Sequence, residues 1–287
     1  MKIDTFIIGV QKAGTTYLKY LLSQHPNIDT HYTHEFSYFH DPYFSDNKNF
    51  NSWIKEHYGN KINTDNHKLA KNVGVFSSVT ALKRLKKHNP KIKIIVVLRH
   101  PIDRVISAYY YCLSRGLELN KNFSQAIREN NRYQDDSIRN RSCNYIDLSN
   151  YSKHLKNIYK IFKKENVIII NFEMLKSNPK SSVSTIFKFM ELKSEGVKIH
   201  VDKVVNKGKT AQNPFLNRYR LIKNTQLNRF WKKIPVKIRV KIMNFLLNLN
   251  YKSKNDKINI SKLDQTFLEK TFQDELNNLK KNFDINF

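Results

Sequence analysis

Two cysteines in 287 residues, Cys112 and Cys143, leave room for at most one bridge. A disulfide-built scaffold and a cysteine-based zinc cluster are excluded, and both thiols read as reduced. Long apolar runs are missing as well. No stretch approaches the roughly 18–20 residues that a membrane span requires. Phe6–Val10, preceded by Asp4, is too short for the apolar region of a secretory signal. The expectation is a cytoplasmic chain. Acidic residues are also scarce: 24 Asp and Glu stand against 51 Lys and Arg, a net charge of +27, and residues 203–255 contain no acid at all. That excess points to an anionic partner such as a polyphosphorylated nucleotide, acidic glycan, nucleic acid or anionic lipid. Lys, Asn and Ile are abundant throughout, so the distribution of charge says more than its total.

What is present is ordinary for a globular protein: 40% apolar and 26% charged residues, enough for one domain with a sizeable core. Phe6–Val10 reads as a buried strand. A helix follows that Thr15 or Thr16 can cap, with Leu18, Leu21 and Leu22 on its apolar face and His25-Pro26 as its stop. A second unit repeats the alternation, with a helix over Val79–His88, a break at Asn89-Pro90 and a strand over Ile92–Leu98. Another helix starts beyond Pro101. The helix Tyr151–Phe162 then precedes a strand over Val167–Phe172. Such alternation predicts a parallel α/β sheet. Asn27–Asp46 reads as a loop dense in rings, and Leu263, Phe267, Phe272, Leu276 and Leu279 mark a final amphipathic helix.

Two stretches carry chemistry. In FIIGVQKAGTTYLKYLL, Gly9 and Gly14 keep the spacing of a phosphate-binding loop, but Thr15 and Thr16 follow Gly14 where Lys-Ser/Thr would stand. The lysine, Lys12, lies inside the loop. Backbone N–H groups from Lys12 to Thr16 at a helix start form an anion cradle. Lys12 can stabilise a departing phosphate oxygen. No acidic residue follows a second strand as an evident Mg²⁺ ligand, and a metal-free cradle suits sulfuryl transfer from a phosphosulfate. Taken alone, the loop also fits a strand–helix turn of no special use. In VVLRHPIDRVISAYYY, Arg99 stands at a strand's C-terminal end and Ser107 in the first turns of the next helix. Ligands gather at such strand ends, and a guanidinium fork with a hydroxyl suits a second phosphate. Ser107 alone would read as a helix-surface hydroxyl.

Together, GVQKAGTT and LRHPIDRVISAYY resemble the 5′-phosphosulfate and 3′-phosphate signatures of sulfotransferases that use 3′-phosphoadenosine 5′-phosphosulfate (PAPS). More narrowly, the chain is similar to the carbohydrate branch that includes the heparan sulfate sulfotransferases and bacterial relatives. The similarity continues through THEFSYF, Lys71, YSKHL, VIIINFEMLKSNP and NKGKT, covering residues 5 to about 215. It implies a P-loop-like central parallel β-sheet flanked by helices, with a helical C-terminal extension. It also implies a single domain over 1–287, with the cofactor core in 5–215 and a basic helical part in 216–287. Gln11, Lys12, Ala13, Gly14, Thr15 and Thr16 would hold the 5′-phosphosulfate. Arg99 and Ser107 would hold the 3′-phosphate, and Lys207, Gly208, Lys209 and Thr210 would cover the nucleotide. Glu35 would be the catalytic base that deprotonates an acceptor hydroxyl, with Lys12 and Lys71 also catalytic, Lys71 toward the acceptor or the leaving group, and no metal. One departure is Ala70-Lys71-Asn72-Val73, where the family has Glu-Lys-Thr-Pro.

The acceptor implied is a carbohydrate or glycolipid. A P-loop kinase is the other enzymatic reading, against which the missing Lys-Ser/Thr after Gly14 counts. A basic nucleic-acid-binding protein is the non-enzymatic one; no recognition motif supports it, and nucleic acid is not an expected partner. His31, His34 and His40 match no metal-ligand spacing. Within 215–255, basic residues alternate with apolar ones at helical spacing, which suits either packing or peripheral contact with an anionic membrane.

Overall fold

The structure is a computed structural model describing residues 1–41, 45–46, 48–59, 62–129, 140–201, 209–211, 234–239, 241–242, 251–253 and 260–287. It divides into two compact units. The first comprises Met1–Arg99, Asn157–Asn206 and Ile234–Lys241; the second comprises His100–Lys156, Lys207–Lys233 and Ile242–Phe287. The strands are β1 (Thr5–Gly9), β2 (Ile28–Thr30), β3 (His67–Lys71), β4 (Lys93–Leu98), β5 (Val167–Asn171), β6 (Lys209–Ala211) and β7 (Tyr251–Ser253). The α-helices are α1 (Thr15–Leu22), α2 (Phe50–Tyr58), α3 (Val79–His88), α4 (Pro101–Ser114), α5 (Phe123–Arg128), α6 (Asn140–Cys143), α7 (Tyr151–Ile161), α8 (Phe172–Ser177), α9 (Pro179–Phe189) and α10 (Lys262–Phe283).

In the first unit, five parallel strands form one sheet in the order β2-β3-β1-β4-β5. β1 is central, with Thr5 opposite Leu69 on one side and Lys93 on the other. Every residue of β1 is buried, and so are Ile94–Leu98 of β4. Strands covered on both faces read as continuous apolar runs, which is why these two are plain in the sequence. α3 shows how the crossovers are built. Ser78 Oγ accepts from the Ala81 N–H at 3.3 Å, Ala81, Leu82 and Leu85 are buried, and Lys86, Lys87 and His88 occupy the last turn, where cations suit the helix dipole. α9 begins with Pro179 behind the cap Asn178.

β2, β3 and α2 were not expected. The ring-dense segment after β2 supplies core rather than open rings: Phe36, Tyr38 and Phe39 are buried, and Phe36 packs at 6.3 Å from Phe6 and 5.8 Å from Tyr58 between ring centroids. Tyr32 does stay exposed. Tyr43 and Phe44 lie outside the described residues.

The core of the second unit sets Val105, Ala108, Tyr109 and Cys112 of α4 with Leu268 and Phe272 of α10. Cys112 and Cys143 are buried free thiols. Arg104 is fully buried because its guanidinium donates to Tyr145 O at 3.0 Å and Ser149 Oγ at 2.9 Å. Tyr151 is a core ring of this unit. The buried face of α10 is rotated from the expected one. It carries Asp264, Leu268, Phe272, Glu275 and Leu279, while Leu263 is 79% exposed. The two acids are buried because they have partners: Asp264 pairs with Arg128 at 2.5 Å, and Glu275 accepts from the Ser152 N–H and Oγ at 2.7 and 2.6 Å. β6 and β7 form a separate antiparallel pair. Most of the basic stretch 215–255 lies outside the described residues.

Candidate functional site

Four chain segments reach one edge of the parallel sheet because β1, β3, β4 and β5 all end there. Gly9 leads into the loop, Lys71 closes β3, Arg99 follows β4 and Phe172 follows β5. In open parallel sheets this is the ligand-binding edge.

The loop Val10–Gly14 starts with the Val10 N–H bonded to Val97 O of β4 at 2.8 Å. Lys12 (φ 73°) and Gly14 (φ 75°) both adopt the left-handed conformation, the kind of turn that aims successive N–H groups to one side. Gly14, rather than Thr15 or Thr16, is the N-cap of α1. No side chain caps the helix and no acid stands in its first turn. The first-turn N–H groups are thus left uncapped by any side chain of α1's own N-terminus. Gly14 is required sterically too: a Cβ there would sit 2.8 Å from the Phe172 ring. The same ring lies 5.1 Å under the Arg99 guanidinium, whose Nη1 is 3.5 Å from Lys12 O. Phe172 thus joins loop and arginine. In the sequence it stood at a strand end, inside the VIIINFEMLKSNP stretch of the family resemblance, with no role assigned to it.

Glu35 lies in the segment after β2, with its side chain 35% exposed. Its Oε1 is 2.5 Å from Lys71 Nζ, and its Oε2 accepts from the Val73 N–H at 3.0 Å. Lys71 is almost wholly buried at the end of β3, so its ammonium is committed to the carboxylate. Asn72, one of the three departures from the family pattern, donates through Nδ2 to Phe36 O at 3.3 Å and accepts from the Gly74 N–H at 2.9 Å. It thereby fixes the turn after Lys71. His34 is exposed next to Glu35.

Lys19 is a residue that sequence reasoning missed. It sits in the second turn of α1, and its Nζ donates to the carbonyls of His31 at 2.7 Å and Thr33 at 3.1 Å. Burial, then the Lys71 charge, lowers its pKa to about 7 against the partial offset of Glu35. Burial also holds His31 well below the usual imidazole range, with Lys19 and Lys71 adding to the effect.

Gln11, Lys12, Ala13, Gly14, Thr15, Thr16, Glu35, Lys71 and Arg99 all belong to the first unit, and the C-terminal sheet edge gathers them. Ser107 lies in α4 of the second unit. Lys207 and Gly208 fall outside the described residues, and of Lys209 and Thr210 only the backbone, in β6, is described. Among the described residues, no group of three or more His, Cys, Asp or Glu is placed to hold a metal ion. No helix among them is long and apolar enough to cross a membrane.

Fold and site together define an α/β protein with a phosphate-type loop and a lysine-held carboxylate on one sheet edge. The chain belongs to the sulfotransferase domain family, whose model matches residues 2–241. It is 26% identical over 231 residues to the bifunctional heparan sulfate N-deacetylase/N-sulfotransferase 2 of Bos taurus, covering 78% of this chain and 24% of that one. It is 32% identical over 117 residues to the membrane-associated sulfotransferase kil1 of Dictyostelium discoideum, covering 40% of this chain and 24% of that one. The chain thus spans about a quarter of the length of these curated relatives. Among solved structures, a sulfotransferase from Alicyclobacillus acidocaldarius superposes with a TM-score of 0.60 at 20% identity, covering 72% of this chain and 87% of the other. That likeness concerns the fold.

Proposed function

We propose that the chain is a PAPS-dependent sulfotransferase acting on a carbohydrate or glycolipid hydroxyl, with Glu35 as general base. The observation that carries the reading is the Glu35 carboxylate, accessible at 35% and held by Lys71 at 2.5 Å and by the Val73 N–H, on the edge where β1 opens into the loop. The loop suits a phosphosulfate: no side chain caps its helix and no acid stands in the first turn, two left-handed residues turn it, and Gly14 keeps its floor clear of Phe172. PAPS, when bound, supplies the sulfuryl group: the acceptor oxygen bonds to sulfur, the sulfur–oxygen bond to the 5′-phosphate breaks, and 3′-phosphoadenosine 5′-phosphate (PAP) leaves.

Glu35 takes the proton of the attacking hydroxyl. Lys71 orients Glu35 for that transfer. Lys12 and the N–H groups through Thr16 neutralise the phosphate that departs. Arg99 takes the 3′-phosphate. The parts assigned to Ser107 in 3′-phosphate binding and to Lys207, Gly208, Lys209 and Thr210 in covering the nucleotide rest on motif similarity. We read 1–287 as one catalytic domain, since the family match runs through segments of both units. A cytoplasmic setting, with peripheral contact to anionic membrane through 215–255, completes the proposal.

The test is mass spectrometry of acceptor panels incubated with protein and PAPS. The panels include glycans with only hydroxyls and glycans with free amines, because the relatives' names specify N-sulfation. Sulfate added to a hydroxyl, with PAP formed in equal amount, supports the reading. Sulfate found only on amines overturns the hydroxyl assignment, and PAPS left intact with every acceptor overturns the function.

A further inference from the structure

We propose that Lys19 is a positioning residue for Glu35, acting through the backbone of residues 31–35; this rests on the reading of Glu35 as the base. Lys19 belongs to the helix that starts at the phosphate loop, yet its ammonium reaches across to the segment carrying the base. There it clamps two alternate carbonyls, those of His31 and Thr33. A chain of hydrogen bonds of fixed direction completes the clamp. The main-chain N–H of Lys71 donates to His31 Nε2 at 3.1 Å, so that nitrogen carries no proton. The neutral ring then bears its proton on Nδ1 and donates to Thr33 Oγ1 at 2.9 Å. The Thr33 hydroxyl, its lone pair so engaged, donates to the Glu35 carbonyl at 3.0 Å. Beyond Glu35, the Phe36 N–H bonds back to Lys71 O at 2.7 Å. From the other side, the Tyr32 N–H bonds to His57 O of α2 at 2.9 Å.

Residues 31–36 are therefore pinned to α1, β3 and α2 together, and Lys19 supplies a two-bond link to α1. A desolvated ammonium close to a second lysine is an unfavourable way to fill space, and the depressed pKa of Lys19 records that cost. An apolar residue would fill the same volume without it. The two carbonyl bonds tie the base to the helix that opens the donor loop, so that the nucleophile's side and the donor's side of the reaction share one rigid element. Sub-ångström control of this kind matters, since a shift of about 1 Å can cost on the order of 10² in rate.

The experiment places Lys19→Met, Lys19→Arg and Thr33→Val in wild-type and Glu35→Gln backgrounds. Turnover is read as PAP released from PAPS, with N-desulfated heparan sulfate and with water alone as probe acceptors, and PAP binding is read by calorimetry. Lys19→Met is expected to lower kcat roughly 10- to 100-fold with PAP affinity held within about threefold. In the Glu35→Gln background it should lower the residual rate by no more than about twofold, because residues acting through one group are not additive. Lys19→Arg, which keeps donors and charge, should restore much of the rate. Thr33→Val removes only the hydroxyl link and should follow the same pattern more weakly; it carries the test if Lys19→Met fails to fold. Equal losses in both backgrounds, or weakened PAP binding at unchanged kcat, would make Lys19 structural and overturn the inference. Wild-type turnover by Glu35→Gln would instead overturn the base reading, and the inference with it.

Discussion

Gly14→Ala probes the loop at its tightest point. Two costs follow from the structure. A residue with a Cβ at φ 75° is in the left-handed region, which costs roughly 1–2 kcal/mol. The new Cβ would also stand 2.8 and 3.0 Å from two Phe172 ring carbons. Ordinary carbon contacts are about 3.5–4.0 Å, so ring and loop must part by roughly 0.5–1 Å. Overpacking of this size costs about 1–3 kcal/mol. Phe172 cannot yield alone, because its ring lies 5.1 Å from the Arg99 guanidinium and its displacement moves that side chain too. Shared between folding and binding, the substitution should lower the melting temperature by several degrees and weaken PAP binding about 10- to 100-fold. Calorimetry with PAP and thermal melts measure the two parts. Adding Phe172→Leu should return about half of the lost affinity, since it relieves the contact but not the backbone strain. PAP affinity within twofold of wild type for Gly14→Ala would refute the close packing of loop, ring and arginine.

Further expectations are direct. Lys12→Ala should cut turnover by roughly 10²–10³, the usual loss for one electrostatic group at a developing charge; activity surviving within severalfold in a radiolabelled sulfate-transfer assay would remove Lys12 from the site. His88, whose Nε2 accepts from the Ile3 N–H at 3.0 Å, has its pKa lowered to about 4 by burial, then by Lys2 and the N-terminal amine. Between that value and the unfolded value of 6.5 the unfolded chain binds more protons, so this contribution is complete above about pH 6.5 and is lost as pH falls toward 4. Allowing for partial exposure, the loss is on the order of 1–2 kcal/mol, and His88→Gln should flatten the acid fall of the urea midpoint by that amount; an unchanged slope would contradict it. Binding to anionic but not neutral vesicles at low salt should weaken when Lys232, Lys233 and Lys237 are replaced by Gln. No co-sedimentation at low salt would leave 215–255 without a membrane role.

Readability from sequence followed burial. β1, β4 and β5 are apolar runs, and their ends brought Lys12 and Arg99 into view. β3 stayed hidden because its sequence, His-Lys-Leu-Ala-Lys, buries two lysines that a pattern of polarity assigns to solvent. Lys68 is tolerated there because it donates to the Asn63 and Thr64 carbonyls and stands 3.7 Å from Asp29. Lys19 escaped for the same reason: on an amphipathic helix a lysine reads as a solvated face, and only the fold brings the His31 and Thr33 carbonyls to it. The rings around Glu35 misled in the other direction. A ring-dense segment read as a loop, whereas its Phe36, Tyr38 and Phe39 fill the core. The rotation of α10 followed from Asp264 and Glu275, whose buried partners no periodicity of apolar residues reveals.

The central claim is that Glu35 takes the acceptor's proton while other residues hold the nucleotide. Glu35→Gln tests it most directly, because the amide keeps the side chain's shape but cannot act as the base. Sulfuryl transfer from labelled PAPS and PAP binding by calorimetry should be measured on the same preparation. The account predicts that transfer collapses by two or more orders of magnitude, in the range of about 10²–10⁴ for a lost general base, while PAP affinity stays near wild type. Transfer at a near-normal rate, or loss of the PAP site together with activity, would contradict it.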